Sequence, residues 1–309
     1  MKALSSKILL LSIFLFTACQ EEISPLFKPT KETEGTVTPP SEPVEGKFSK
    51  CLSTLSNTTL DVVTWNIENF PKNSSTAARL KEIITVMNPD IIAVQEITSL
   101  SLFNNLINEL PGWQGTLMSS GSQRLGYLFK TGEILSVEGA EELFGNDNCA
   151  FPRPALKVKV KHVSGKDVYL FNIHLKCCSD VTSSCGAAGD RRRQASTTLK
   201  NYIDQNLPGA MVIILGDWND SITETNSPFS NFIIDAANYK FTDMEIAKGG
   251  TAGWSYPSWP SHLDHILVSN ELFANVRETR TLTLATCETD YFDTVSDHYP
   301  VLVRLNTTP

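Results

Sequence analysis

Leu60-Asp61-Val62-Val63-Thr64-Trp65-Asn66-Ile67-Glu68 is the stretch from which the rest of the chain is best read. Leu60 to Trp65 form a nearly continuous run of apolar and β-branched residues. Such a run suits a strand covered on both faces, because a strand wet on one side would alternate. The run then stops at the polar Asn66 and Glu68. The same design returns three times. Asp90 to Val94 ends in Gln95-Glu96, Asp167 to Phe171 in Asn172-Ile173-His174, and Ala210 to Leu215 in Gly216-Asp217-Trp218-Asn219. No repeat of fixed period connects these segments. Strands buried on both faces need helices over them, and ligands collect where such strand ends share one edge.

The segments between supply those helices. From Thr76 to Met87, the residues Ala77, Leu80, Ile83, Ile84 and Met87 fall at helical spacing, and Ser74 or Ser75 can cap the start. Further helices are expected over Leu102 to Leu110 and from about Asp190 to Gln205. Arg124 to Lys130, Ala155 to Lys161, His262 to Ser269, Leu272 to Ala285 and Tyr299 to Leu305 read as additional strands. The order mixes crossovers with hairpins, so the sheets are expected to be mixed.

The polar residues at the strand ends are Asn66, Glu68, Glu96, His174, Asp217 and Asn219. Two later segments add Leu263-Asp264-His265 and Ser296-Asp297-His298-Tyr299-Pro300. Carboxylates and amides without cysteine favour a hard cation: Mg2+, or else Mn2+ or Ca2+. Histidines beside acids suit proton transfer and stabilisation of a phosphoryl oxygen. Taken singly, each piece has a bland explanation. Asn66 or Glu68 can be a strand-end turn residue, and His174 a satisfied edge histidine. His262 and His265 read as structural.

Together the ordered motifs W-N-x-E, Q-E, N-x-H-L, G-D-x-N, L-D-H-I-L and S-D-H-x-P-V resemble the endonuclease/exonuclease/phosphatase superfamily, from about Leu60 to Leu305. That group includes pancreatic deoxyribonuclease-like enzymes, abasic-site endonucleases, bacterial sphingomyelinases and inositol polyphosphate 5-phosphatases. The resemblance implies a four-layer α/β sandwich of two packed mixed sheets flanked by helices. It implies that Glu96 is the main metal ligand, with Glu68 and Asp297 in the metal environment and Asn66 hydrogen-bonding there. Asp217 would orient or deprotonate the attacking water, and Asn219 would steady that water or the phosphoryl oxygen. Asp264 would hold His298 in its useful tautomer, and His298 and His174 would contact the scissile phosphate. Arg153 matches an arginine that can bind phosphate. Pancreatic-type members carry an acid directly after it, where this chain has Pro154, so the carboxylate that supports the first histidine is missing from its usual place.

Residues 1–18 carry Lys2, Lys7, an apolar run from Ile8 to Phe16 and then Thr17-Ala18-Cys19, the pattern of a signal peptide. The cysteine after a small residue resembles the bacterial lipobox, which implies that Cys19 is lipidated. Residues 19–50 are rich in Pro, Glu, Thr and Lys and read as a flexible tether. Residues 51–309 are left as the catalytic domain. The expected location is the outer membrane of a bacterial cell envelope, facing the periplasm or exposed at the surface, with the bilayer touched through the anchor only, and the expected state is a monomer. Cys51, Cys149, Cys177, Cys178, Cys185 and Cys287 permit disulfides after export. Adjacent Cys177 and Cys178 are expected to take different partners, and Cys185 is near enough in sequence to close a short loop with one of them.

The formal net charge is −8, and loss of residues 1–18 removes two lysines and no acid, giving −10. A sequence-unspecific nucleic-acid binder is usually basic, which weighs against a nuclease unless a bound metal offsets the charge locally. The leading expectation is still an extracellular nuclease acting on phosphodiester bonds. The aromatic group Trp254, Tyr256 and Trp259 reads as a stacking surface or a packed loop. Asp190-Arg191-Arg192-Arg193 reads as a phosphate grip or a helix start. The alternatives are a phosphodiesterase or phosphatase for lipid head groups or inositol phosphates and, more remotely, an inactive binding lipoprotein.

Overall fold

A computed structural model describes residue 48, residues 51–52, residues 58–178 and residues 184–308. The expected leader, most of the tether and Cys19 lie outside the described residues. In chain order the strands are β1 (Thr59–Phe70), β2 (Ile91–Ile97), β3 (Trp113–Leu117), β4 (Arg124–Lys130), β5 (Ile134–Leu143) and β6 (Ala155–His162). They continue with β7 (Asp167–His174), β8 (Val212–Asp217), β9 (Tyr239–Phe241), β10 (Asp264–Ser269), β11 (Val276–Thr281) and β12 (Val301–Asn306). The α-helices are α1 (Thr76–Met87), α2 (Leu100–Asn108), α3 (Ala188–Asn206), α4 (Ser230–Ile233), α5 (Met244–Lys248) and α6 (Tyr291–Thr294).

Two six-stranded sheets result, ordered β11-β12-β1-β2-β4-β3 and β5-β6-β7-β8-β10-β9. Each contains one parallel pair, β1 with β2 and β7 with β8, among antiparallel neighbours. The continuous apolar runs serve two cores at once. On β1 and β2, Leu60, Val62, Ile91 and Ala93 face the other sheet and meet Val158, Leu170, Ile213 and Ile266. Alternate residues Val63, Trp65, Ile92 and Val94 face outward against Leu80, Ile83 and Phe103 of α1 and α2. On the far side, Ala195, Leu199 and Ile203 of α3 cover Phe171 and Ile214. Each fully buried Val, Leu or Ile stabilises the fold by about 1.5–3 kcal/mol. The layering is helix, sheet, sheet, helix, the expected four-layer sandwich.

Helix α1 has the expected bounds, but its start differs. Ser75 stands at the N-cap and makes no capping bond, its hydroxyl donating instead to Asn73 Oδ1. The Thr76 hydroxyl accepts from the Asn73 N–H and donates to the Thr294 carbonyl, so the turn is tied to α6 rather than capped. Asn88 closes the helix in the left-handed region, its N–H bonding the Ile84 carbonyl. The strand expected over Leu272 to Ala285 is shorter: a 3-10 turn takes Asn270–Asn275, β11 follows, and a second 3-10 turn takes Leu284–Thr286. Strand β5 carries polar, exposed residues because it lies on a sheet edge, so it shows no apolar run.

The cysteine expectation needs correcting. Cys51 pairs with Cys287 and Cys149 with Cys185, while Cys177 and Cys178 are free. Cys185 stands at the entry to α3, where Arg191 donates to the Cys149 carbonyl at 2.6 Å, so the helix start is held against the Cys149 turn. Phe48, on the tether side of the expected boundary, is fully buried in the outer core beneath α1 and α2.

Candidate active site

The two parallel pairs bring their carboxyl ends to one edge. Asn66 sits level with Gln95 on β1 and β2, and His174 level with Asp217 on β7 and β8. Antiparallel β10 starts there, with Asp264 level with Asp217. The turn before β12 brings Asp297 and His298 to the same edge. Hydrogen bonds join the set. Asn66 Nδ2 donates to Glu96 Oε1 at 3.2 Å and to Asp217 Oδ2 at 3.0 Å. The Asn69 N–H donates to Glu96 Oε2 at 2.9 Å, and the Asp297 N–H to Glu68 Oε2 at 2.7 Å. His298 Nδ1 meets Asp264 Oδ2 at 2.7 Å, leaving Nε2 facing the gap, 3.9 Å from both Asp217 and Asp297. His174 Nε2 points to Asp217 Oδ2 at 3.5 Å and Glu96 Oε1 at 3.7 Å.

Local backbone explains why these residue types stand where they do. Glu68, Glu96 and Asn219 all have positive φ, a conformation that side chains rarely adopt and that concentrates at functional sites. A Cβ on Gly216 would lie 1.9 Å from the Ile173 carbonyl oxygen, so glycine alone lets β8 approach β7 closely enough to set Asp217 beside His174. The Asn219 N–H holds Asp217 Oδ1 at 3.0 Å, and its side-chain amide donates to the Leu175 carbonyl at 3.1 Å.

Burial controls the charges. It pushes the Asp217 carboxyl up to about 7, with Asp264 and Glu96 adding to the rise and His298 and Asn66 opposing it. Burial alone would lower His298, but Asp264 above all, then Asp217 and Asp297, hold the imidazole up at about 10. His174 goes the other way. Burial first, then Arg153 and His298, push it well below the usual histidine range. Its Nδ1 has no hydrogen-bond partner among the described residues, in keeping with Pro154 where relatives carry an acid. A neutral ring at this place can donate a hydrogen bond but carries no charge.

Arg153 is half-buried within electrostatic reach of Glu96 and Asp217, and it donates to Gln123 Oε1. The three arginines of the α3 start do not reach the gap. Arg191 bonds the Cys149 and Asn148 carbonyls, Arg192 grips Asp220 and the Lys176 carbonyl, and Arg193 bonds the Ser227 and Asn226 carbonyls. They are a helix start tied to its surroundings. The aromatic group divides. Trp254 donates to the Ile246 carbonyl, the Tyr256 ring lies 4.8 Å from the His298 ring, and Trp259 stands 78% exposed.

Several working residues carried no separate signal. Gln95 Nε2 donates to Asn172 Oδ1 at 2.8 Å, and Asn172 Nδ2 donates to the Val94 and Gly126 carbonyls, bridging the two sheets beneath the site. The Ser296 hydroxyl donates to the Asn66 carbonyl and accepts from the His298 N–H. Buried Tyr291 donates to the His298 carbonyl at 2.6 Å and accepts from Trp65 Nε1. Gln95, Asn172 and Ser296 stand inside the quoted motifs, so their positions were visible but not their roles. Tyr291 had no signal at all.

A second buried cluster lies behind the first. Asp243 Oδ2 takes His265 Nδ1 at 2.6 Å and His262 Nε2 at 3.0 Å. His262 Nδ1 accepts the Ser255 N–H, and His265 Nε2 meets the Asp220 carbonyl at 3.0 Å. Both His265 nitrogens face acceptors, so both carry protons and the ring is an imidazolium. Burial works against that charge, but Asp243 more than offsets it and raises the pKa. Both this cluster and Asp217–Asp264–His298 bring acid and imidazole atoms within metal-binding reach of each other. In the second cluster those atoms already bond to one another. Glu96, Glu68 and Asp297 offer only oxygen donors, the chemistry of a hard cation, and Glu68 Oε2 is also bonded by Lys72 Nζ. Burial pushes Asp297 up to about 6, and after His298 opposes this, Glu68 and Glu96 raise it further, a repulsion that a divalent cation would relieve.

The description "Endonuclease/Exonuclease/phosphatase family" belongs to the family model that matches residues 63–298. Solved structures share the fold at low identity. D. rerio TDP2 complexed with single-strand DNA product is 14% identical, covering 81% of this chain and 99% of its own, with a TM-score of 0.62. The human Nocturnin catalytic domain with bound sulfate is 18% identical, covering 82% and 94%, with a TM-score of 0.60. The 3′ phosphatase NExo from Neisseria, bound to a product DNA hairpin, is 15% identical, covering 80% and 99%, with a TM-score of 0.60. No curated protein matches the sequence.

Proposed function

From the premise that the chain belongs to the endonuclease/exonuclease/phosphatase family and is a phosphate-ester hydrolase, we propose that it cleaves phosphodiester bonds of nucleic acid outside the cell, by attack of water on phosphorus. One observation carries this reading: Asp217, His174 and the Asp264-held His298 face a single gap, with Arg153 in electrostatic reach. Asp217, anchored by Asn66 and by the Asn219 N–H, orients the water and takes its proton. His298, kept charged by Asp264, binds the phosphoryl oxygens on which negative charge builds in the transition state. Neutral His174 donates a hydrogen bond to the same phosphate, and Arg153 adds a second positive charge. Glu96, Glu68 and Asp297, with Asn66 beside them, would hold the divalent cation, which when bound polarises a phosphoryl oxygen. DNA in the TDP2 and NExo structures supports a nucleic-acid substrate.

The reading of action outside the cell is supported by the leader-like pattern of residues 1–18, the lipobox-like Cys19 and the two disulfides, which form where thiols are oxidised. Purified protein should nick supercoiled plasmid in magnesium and stop in chelator. Inertness on DNA and RNA together with cleavage of bis(4-nitrophenyl) phosphate would overturn the nucleic-acid reading and favour lipid head groups or inositol phosphates. Cys19→Ser should move the protein from the membrane to the soluble fraction; unchanged fractionation would overturn the anchor.

A further inference from the structure

Among the described residues, Cys177 and Cys178 are the two thiols that the observed disulfides leave over, and they adjoin the catalytic strand end. Cys177 is half-buried, three residues past His174, and lies within electrostatic reach of Asp217. Cys178 is exposed, with φ of +57°. The two thiols lie within hydrogen-bond reach of each other, and Tyr256, its ring tilted against His298, feels both. Just before them the backbone is clamped: the Leu175 N–H bonds the Asp217 carbonyl, Asn219 donates to the Leu175 carbonyl, and Arg192 donates to the Lys176 carbonyl at 2.6 Å.

We propose that Cys177 and Cys178 are a thiol-modification site, which low-molecular-weight disulfides convert to a Cys177–Cys178 disulfide at the lip of the cleft. The exposed Cys178 thiolate attacks one sulfur of a disulfide RSSR and expels RS−. Cys177, whose thiol burial pushes up to about 11, gives its proton to the expelled RS−, attacks Cys178 Sγ, breaks the mixed disulfide and expels the second RS−. Two cysteine thiols lose two protons and two electrons, and RSSR gains both and leaves as two RSH. Cys149 and Cys185 do not compete, because they are already bonded at a Cα separation of 5.3 Å, inside the ordinary range. Neighbouring Cα atoms across a trans peptide are about 3.8 Å apart, below the about 4.4 Å at which unstrained disulfides begin. Closing the small ring therefore twists the backbone at Cys177 and Cys178. That twist acts on Leu175 and Lys176, whose carbonyls hold Asn219 and Arg192. A strained, partly exposed disulfide is also readily reduced, so the change reverses.

The position of the pair beside a working site rests on the reading given under Proposed function; the thiol chemistry does not. The test equilibrates full-length protein over a range of oxidised to reduced glutathione, then blocks free thiols and maps the peptides. Cys177 and Cys178 should lose alkylation together, with a peptide two hydrogens lighter and the other pairs unchanged. In the same samples plasmid nicking should fall by about tenfold or more, as expected when a positioning contact shifts. The loss should reverse with mild reductant. Cys177→Ser/Cys178→Ser should keep the basal rate and ignore glutathione. Two alkylatable thiols throughout, or a stable glutathione adduct on Cys178, would overturn the site. A linked pair with an unchanged rate would overturn its coupling to the cleft. A chain inert as a phosphoesterase would sink the function, while the peptide map would still decide the thiol chemistry.

Discussion

Two buried clusters are built of aspartate and histidine, Asp217–Asp264–His298 at the strand edge and Asp243–His262–His265 behind it. Their compositions are alike and their bonding is not. In the rear cluster every ring nitrogen has a close partner, and Asp243 Oδ1 takes the Ile266 N–H at 3.0 Å. In the front cluster His298 Nε2 makes no hydrogen bond among the described residues, its paired carboxylates Asp217 and Asp297 standing 3.9 Å away, and Asp264 Oδ1 has no partner among them either. Unused bonding capacity that faces a gap is what distinguishes a site from a brace. The rear cluster still serves the front one. His265 holds the Asp220 carbonyl next to Asn219, and His262 fixes Ser255, whose hydroxyl takes the Leu263 and Asp264 N–H groups.

The comparison is open to direct attack, and the largest effect should come from the front. His298→Ala should cost activity by roughly 10²–10⁴-fold, the range for a group acting directly in the transition state. Thermal unfolding should show a lower melting temperature as well, since the change leaves the buried Asp264 carboxylate without its Nδ1 partner, so activity is read on the folded fraction. A large stability loss with activity retained would make His298 a brace.

The reverse holds behind. Asp243→Asn should destabilise by about 3–5 kcal/mol, because it strips the partner from a buried imidazolium. Denaturant titration reads this, and kcat of the folded fraction should stay near the parent value. A folded variant of full stability with a collapsed kcat would place Asp243 in the chemistry.

The rear pair also sets a pH signature. The Asp243 carboxyl is held well below the usual range, because His265 and His262 outweigh the opposing effect of burial, and His265 is raised. Asp243 thus contributes stability above its unfolded pKa of about 3.9, lost as pH falls through the folded value. His265 contributes fully below about 6.5, and that part is lost as pH rises through its raised pKa. The stability gap between parent and Asp243→Asn should therefore be widest between about pH 4 and 6.5 and narrow on both sides. A flat difference would mean that the pair is not ionic.

The smallest effect tests the arginines. Arg193→Ala should change plasmid affinity and its salt dependence little, because both guanidinium contacts run to backbone carbonyls away from the gap. A salt slope reduced by about one would restore it as a phosphate contact.

Much of the fold and of the front cluster is legible in local sequence patterns. Apolar runs of strand length, a helical stripe over Thr76 to Met87, and polar residues at each strand end are patterns of this kind. They record how each segment must be covered; the four-layer sandwich and the grouping of Asn66, Glu68, Glu96, His174, Asp217, Asn219, Asp264, Asp297 and His298 in one site are what the resemblance of the ordered motifs to the endonuclease/exonuclease/phosphatase superfamily implies. Edge strand β5 and Tyr291 stay hidden because nothing in their own neighbourhood betrays a distant partner.

What the sequence by itself determined is the buried strands and the main helices, their order and the chemical kinds of side chain at the strand ends, because periodicity and backbone preference act over a few residues. The tertiary structure alone decided which cysteines pair, which arginines are tied to carbonyls, and which of two histidine–aspartate clusters keeps atoms free. It also decided that His298 is charged while His174 is neutral. Those outcomes depend on burial and on partners far away in the chain, as when Asp264 reaches His298 across 34 residues.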